Sequence, residues 1–378
     1  MFYHFVKYFF TIDTTINTYG MKCFFLDHGL TVRPDGRVAP CCQWYHGKDE
    51  TKLDQDWKGY FAKKKEQLSK GWIPECRECQ WSEEREGHSE RIEWENGHPR
   101  WRIPTDGDDR SHWDLKLHHT CNLTCRMCTP QDSSSWSKLI QENQNEEWHD
   151  HVFVEGDDIK NKKYGWREKI PLLLRNHVDE LKIVKFTGGE PMMIPQVYQV
   201  LEAIHKLGKS SEVIVRMTTN ATFSLSKKWI NMLKNFKRVK FIYSVNCIKS
   251  RYEYIRQNAV WEETLKNILD MQDLEFADGS VNDLYQMTSF DMVDEVSDFW
   301  KEQHIDCSWA HLTKPDYYSL NALPQHLIKK YNHWEGYKFE QKYFNEFLKQ
   351  SKIHDRIYGK DIHKEIPELF SKDLKLHL

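Results

Sequence analysis

The sequence has little net charge. Its 57 acidic and 54 basic residues leave a formal charge of −3, so no global field draws the chain to nucleic acid or to a membrane surface. It also lacks a long apolar run. Residues 1–12 are aromatic and apolar, but a bilayer span takes about 20 residues, and the small-residue cleavage site of a secretory signal is missing as well. Met21 offers a second candidate start, and residues 1–20 read as a flexible extension. Hydrophobic residues are only 39% of the chain, so Trp, Tyr and Phe are expected to carry much of the burial. The 378 residues still suffice for two domains, or one large domain with an appendage.

Cysteine is what the sequence has in excess. Eight of the ten cysteines lie before position 130. In a small secreted domain an even count points to disulfides. A long chain without a signal points instead to metal or cluster ligation. The central stretch is Cys121-Asn-Leu-Thr-Cys125-Arg-Met-Cys128, spaced C-x3-C-x2-C. Residues 113–117 before it alternate apolar and polar, as a half-buried strand does, so the thiols fall on a loop leaving a strand end. Such a loop can wrap three thiolates around one face of a cubane iron–sulfur cluster. One iron is then left open for a substrate or cofactor.

A second set lies upstream. Pro34-Asp35-Gly36 joins two short strands through a turn, and Pro74-Glu-Cys76-Arg-Glu-Cys79 presents a tight thiol pair. Cys23, Cys41 or Cys42, Cys76 and Cys79 together make a four-thiolate site for zinc or a complete cluster. Helical periodicity covers 53–68. Glu83, Gly87, Ser89 and Arg91 either line a pocket beside the site or form a solvated helix face. Residues 106–110 read as a linker.

From His112 onward, strand and helix alternate. Strand 181–186 ends at Thr187-Gly188-Gly189-Glu190-Pro191, strand 213–217 at Thr219-Asn220, and strand 239–245 near Ser244. Further strands are expected at 284–287 and 305–310. Helices are expected at 133–140, 195–207, 229–236, 252–271 and 293–303, and residues 141–168 read as a polar insertion. The alternation predicts parallel strands with crossover helices. About six units fit before Leu312, fewer than the eight of a full barrel. Ligands in such folds sit at the carboxyl ends of strands, where all the named segments fall. Gly188 and Gly189 permit close backbone approach, and Glu190 adds a carboxylate suited to an ammonium group. Cys247 and Cys307 read as small buried hydrophobes.

The cysteine loop followed by Gly-Gly-Glu-Pro resembles the signature of the radical S-adenosylmethionine superfamily. The resemblance implies an α/β fold, a partial (β/α)6 TIM-like barrel over 111–315, with Cys121, Cys125 and Cys128 holding a [4Fe-4S] cluster with an open iron. It implies that Gly188, Gly189 and Glu190 bind the amino group of S-adenosylmethionine. Thr219 and Asn220 would bind its ribose, Ser244 and Arg256 its ribose and carboxylate, and Met127 would pack on adenine. Ala221 stands where glycine is frequent, Asn246 where aspartate is frequent and receives no role, and Met127 where the family often has an aromatic residue.

Twelve residues separate Cys23 from Gly36 and four separate Gly36 from Cys41. With the later C-x2-C, this pattern resembles a SPASM/twitch auxiliary-cluster module. The module would occupy 21–105 and hold a second [4Fe-4S] cluster, or zinc, through Cys23, Cys41, Cys76 and Cys79, with Cys42 the alternative ligand. It would precede the barrel, where better-known members place it after. Residues 316–378 would form a helical C-terminal cap.

The function so implied is reductive cleavage of S-adenosylmethionine to a 5′-deoxyadenosyl radical, which takes hydrogen from a substrate, with a peptide or protein favoured. A small molecule or sugar is the alternative substrate, and a zinc-stapled non-catalytic binding protein is the alternative of another class. An external one-electron reductant such as flavodoxin or ferredoxin is the expected partner, and neither membrane nor nucleic acid is. Oxygen-sensitive clusters imply the cytoplasm.

Overall fold

The structure, a computed structural model, describes residues 21–45, 51–96, 110–150, 170–331, 334 and 336–371. The extension at 1–20, the linker residues 106–109 and most of the polar insertion (151–168) lie outside these residues.

The described residues contain β1 (Gly29–Val32), β2 (Arg37–Ala39), β3 (Thr51–Lys52), β4 (His112–Lys116), β5 (Thr124–Cys125), β6 (Ile183–Thr187), β7 (Ile214–Thr219), β8 (Arg238–Ser244), β9 (Arg256–Gln257), β10 (Ala277–Tyr285) and β11 (Asp306–His311). Nine strands form one sheet in the order β11-β10-β8-β7-β6-β4-β1-β2-β3. From β1 through β11 every pairing is parallel. β2 and β3 add an antiparallel edge. The expected mixed α/β architecture with a parallel sheet is thus present, and its six C-terminal strands have a seventh parallel neighbour. β1 pairs with β4, so the N-terminal unit continues the same sheet.

The two faces of the sheet differ in chemistry. On one, Val184, Phe186, Val215, Met217, Val239 and Phe241 are fully buried. They share a core with the crossover helix Pro195–Lys206, which buries Val197, Val200, Leu201 and Ile204 at helical spacing. Gly208, at φ 76°, follows that helix in the left-handed region glycine favours. On the other face, Asp114, Lys185, Arg216, Lys240 and Asp278 lie side by side in register across five strands. Near the strand starts, Phe25 and Trp94 of the N-terminal unit pack on Ile183 of this second face, and both rings touch His112.

β10 is longer and begins earlier than its sequence predicts. Asp278, Gly279 and Ser280 hide the strand because they belong to its polar side or to a tight contact. Gly279 lies under the Tyr243 ring, and a Cβ there would come within 2.5 Å of it. Ser133 caps the helix Ser134–Glu142 by accepting the Trp136 N–H. No helix of the described residues is long and apolar enough to cross a membrane.

Candidate functional site

The cysteine loop leaves the carboxyl end of β4 and is held from several sides. β5, which contains Cys125, pairs antiparallel with β9, opposing Cys125 to Arg256. The Arg126 guanidinium is buried over the Tyr254 ring, 3.7 Å from its centre. It donates to the Tyr254 carbonyl at 2.7 Å and to Asp355 at 2.6 Å, which ties the loop to the helix Gln341–Tyr358. Trp136 Nε1 donates to the Cys125 carbonyl at 2.8 Å, and Ser135 to that of Cys121 at 2.8 Å.

The three sulfurs lie within electrostatic range of one another. Burial, then the neighbouring Cys125, pushes the Cys121 thiol up to about 11. Burial raises Cys125 against the pull of Arg256, and Cys128 rises through burial, Asp132 and the other two thiols. Donors point at the sulfurs. The Leu123 N–H lies 3.5 Å from Cys121 Sγ, Asn220 Nδ2 3.8 Å from the same atom, and Arg256 Nη1 3.6 Å from Cys125 Sγ. Three gathered thiols that resist ionisation alone, with donors aimed at them, fit a cationic metal cluster, whose binding deprotonates its thiol ligands.

Beside this loop runs the segment after β6. Gly189 N–H donates to the His118 carbonyl at 3.0 Å and Glu190 N–H to that of Thr120 at 2.7 Å. A Cβ on Gly189 would meet Thr120 O at 2.0 Å, and one on Gly188 (φ 109°) would meet His118 O at 2.7 Å. The close approach these glycines allow is therefore to the backbone leading into the cysteine loop. The Glu190 carboxylate is fully buried. Its Oε1 accepts from Thr219 Oγ1 at 2.9 Å and Met192 N–H at 3.2 Å, and its Oε2 from Asn220 N–H at 2.8 Å. Burial pushes it up to about 7 against these donors and Arg256. Glu190 and Thr219 thus join the ends of β6 and β7.

The structure brings Glu190, Thr219, Asn220 and Cys121 into one hydrogen-bonded chain, and Arg256 and Cys125 into another. Ala221 takes φ 57°, in the left-handed region that glycine favours. Arg256 also donates to the Val245 carbonyl at 2.9 Å and to Asn246 Oδ1. Ser244 ends β8 opposite Asn282. Met127 is half-buried against the main core. Three further residues enter the site. Asn122 bonds Asn220 and Thr222 at 3.0 and 2.9 Å. Asn246, given no role by sequence, receives Arg256 at φ 66°. Asp355 pairs with Arg126 from 229 residues away, with no local signal to mark it. Asn122 could have been found, because it lies inside the cysteine motif.

The upstream cysteines also converge. Cys23, Cys41, Cys76 and Cys79 line one small cavity with Glu75 and Arg91. Burial pushes Cys23 up to about 12 and Cys79 up to about 11, and the thiols raise one another. Cys42 turns elsewhere. Its Sγ lies 3.7 Å from Glu90 and 3.9 Å from Lys185 on the polar face of the sheet. Among the described residues no three His, Cys, Asp or Glu side chains are grouped to hold a single metal ion. Arg91 lines the cavity and is braced by Glu83 at 2.6 Å, which also accepts from Ser89. Gly87 instead ends the helix Arg77–Glu86 at φ 67°.

Residues 115–288 match the family model described as the Radical SAM superfamily. No curated protein matches the chain. Among solved structures, native anSMEcpe with bound AdoMet is 14% identical with a TM-score of 0.40, over 66% of this chain and 62% of that one. Streptococcus suis SuiB bound to precursor peptide SuiA is 15% identical with a TM-score of 0.39, over 86% of this chain and 59% of that one. The chain thus spans less than two thirds of the length of either structure.

Proposed function

We propose that this protein is a radical S-adenosylmethionine enzyme that takes a hydrogen atom from a peptide or protein substrate. The observation that carries the reading is the meeting of the cysteine loop with Gly188–Glu190 and Thr219–Asn220 at the carboxyl ends of β4, β6 and β7. In this reading Cys121, Cys125 and Cys128 hold a [4Fe-4S] cluster, and S-adenosylmethionine lies against Gly188, Gly189, Glu190, Thr219, Asn220, Ser244, Arg256 and Met127. When bound, cluster and S-adenosylmethionine supply the reductive cleavage that yields a 5′-deoxyadenosyl radical.

The chain's own part is positional. Glu190 fixes the β6–β7 junction so that the carboxamide of Asn220 faces Cys121. Arg256 places positive charge beside Cys125, favouring its thiolate. Arg126 and Trp136 hold the loop rigid, and preorganised donors need no rearrangement during reaction.

Cys23, Cys41, Cys76 and Cys79 form, in this proposal, the ligand set of an auxiliary cluster in a SPASM/twitch-like module. That resemblance is what favours a peptide substrate. An external flavodoxin or ferredoxin delivers the electron, and the cytoplasm is the fitting compartment.

Anaerobic reconstitution tests the assignment. Iron and sulfide are counted on the parent chain, Cys121→Ala and Cys76→Ala, with electron paramagnetic resonance of the reduced samples. Each variant is expected to lose one of two cluster signals, and S-adenosylmethionine to perturb only the signal that Cys121→Ala removes. Zinc in the upstream site, or a signal that S-adenosylmethionine leaves unchanged, contradicts the reading.

A further inference from the structure

β11 ends the nine-stranded sheet and, among the described residues, pairs only with β10. The Leu312 N–H donates to the Tyr285 carbonyl on β10. Backbone groups alternate in direction along a strand, so the peptide N–H and C=O of Trp309 turn away from β10. Trp309, Ala310 and His311 of this strand line open space. A cavity of about 230 Å3 is lined by Trp309 and Ala310 on one side and by Glu78, Cys79, Trp81 and Glu90 of the N-terminal unit on the other. A second cavity of about 330 Å3 continues it past Thr313, Lys314, Asn321 and Tyr337, and the two share Glu78, Trp81 and Thr313.

The groove therefore has three features at once. One wall is a strand edge, which only another extended backbone satisfies in register. The other wall is a helix carrying the half-exposed Trp81, an apolar contact. The inner end reaches Cys79 of the four-cysteine cavity and Glu90, which touches Cys42 on the polar face of the sheet.

We propose that this groove receives an extended polypeptide segment, which adds to the outer edge of β11 at Trp309, packs on Trp81 and passes the four-cysteine cavity at Cys79. The proposal rests on the reading of the protein as an enzyme acting on a peptide, and it specifies how that substrate enters: laterally, between β11 and the N-terminal unit.

The probe is a set of short linear peptides selected by display from a random library on the cluster-loaded full chain under anaerobic conditions. Each selected peptide is compared with two forms N-methylated at alternate backbone positions, and with the Trp81→Ala protein. One methylation phase is expected to weaken binding about tenfold and the other little, because only one set of peptide N–H groups faces the edge. Trp81→Ala is expected to weaken binding too, and bound peptide to slow hydrogen exchange at the Trp309 amide. Failure to select any peptide, or peptides indifferent to both methylation phases and to Trp81→Ala, overturns the proposal. Reductive cleavage of S-adenosylmethionine, measured on the same samples without peptide, separates the two claims. Its absence with phase-dependent binding intact sinks the enzyme reading and leaves the groove. Its presence with phase-independent binding sinks the groove alone.

Discussion

The Glu190 carboxylate accepts the backbone N–H of Asn220 at 2.8 Å across the ends of β6 and β7. Through that bond the Gly-Gly-Glu segment sets the position of the side chain that faces Cys121. Glu190→Gln replaces one acceptor oxygen with a donor opposite existing donors. It is expected to destabilise the protein by about 1–3 kcal/mol, the cost of buried groups left unsatisfied, and to weaken S-adenosylmethionine binding. Denaturant unfolding and equilibrium binding check both parts. Unchanged stability contradicts the junction role.

The two glycines of interest should respond differently to alanine. Gly189→Ala drives a Cβ to 2.0 Å from the Thr120 carbonyl oxygen, so backbone must move at a cost of roughly 3 kcal/mol. Cluster loading should fall with it. Gly208→Ala meets nothing within 4 Å and strains only its φ of 76°, a cost of about 1 kcal/mol, with loading retained. Equal effects of the two substitutions contradict this account.

Legibility from sequence followed the range of the interactions. The three downstream thiols, the Gly-Gly-Glu segment and Thr219-Asn220 are short motifs at strand ends, and strand alternation placed them on one edge. Hidden from that reading was what closes the site. Asp355 reaches Arg126 from a distant helix, and β5 and β9 are two residues each, too short for any periodicity. β1 looked like half of an isolated hairpin because its parallel partner β4 begins 80 residues later. Nothing local announces such a pairing. The reason for the glycines also lay beyond sequence, since their tight neighbour is the backbone of His118 and Thr120.

Asp355→Ala strips the anionic partner from a fully buried guanidinium. Breaking a buried pair from one side costs about 3–5 kcal/mol. The double variant with Arg126→Met should lose less than the sum of the single changes, which a double-mutant cycle measures. Additive losses contradict a direct coupling between loop and helix.

Stability should also depend on Asp283. Burial pushes its carboxyl from 3.8 up to about 7, opposed by the Leu284 N–H and Arg256. Between those values the folded state keeps a proton that the unfolded chain has released. The contribution is complete below 3.8 and is lost as pH rises towards about 7. Asp283→Asn should flatten that part of the stability profile. A parent profile unchanged by the substitution contradicts the assignment.

Cys41 and Cys42 are adjacent but face different surroundings, one the four-cysteine cavity and the other Glu90 and Lys185. Cys41→Ala is expected to remove the upstream metal, and Cys42→Ala to retain it, by metal analysis of reconstituted samples. The reverse pattern reassigns the ligand.

The most direct test is formation of 5′-deoxyadenosine from S-adenosylmethionine by the anaerobic, reduced, cluster-loaded chain, with Cys121→Ala alongside. The account predicts product from the parent chain and none from the variant. Equal product from both, or none from a fully iron-loaded parent chain supplied with reductant, contradicts it.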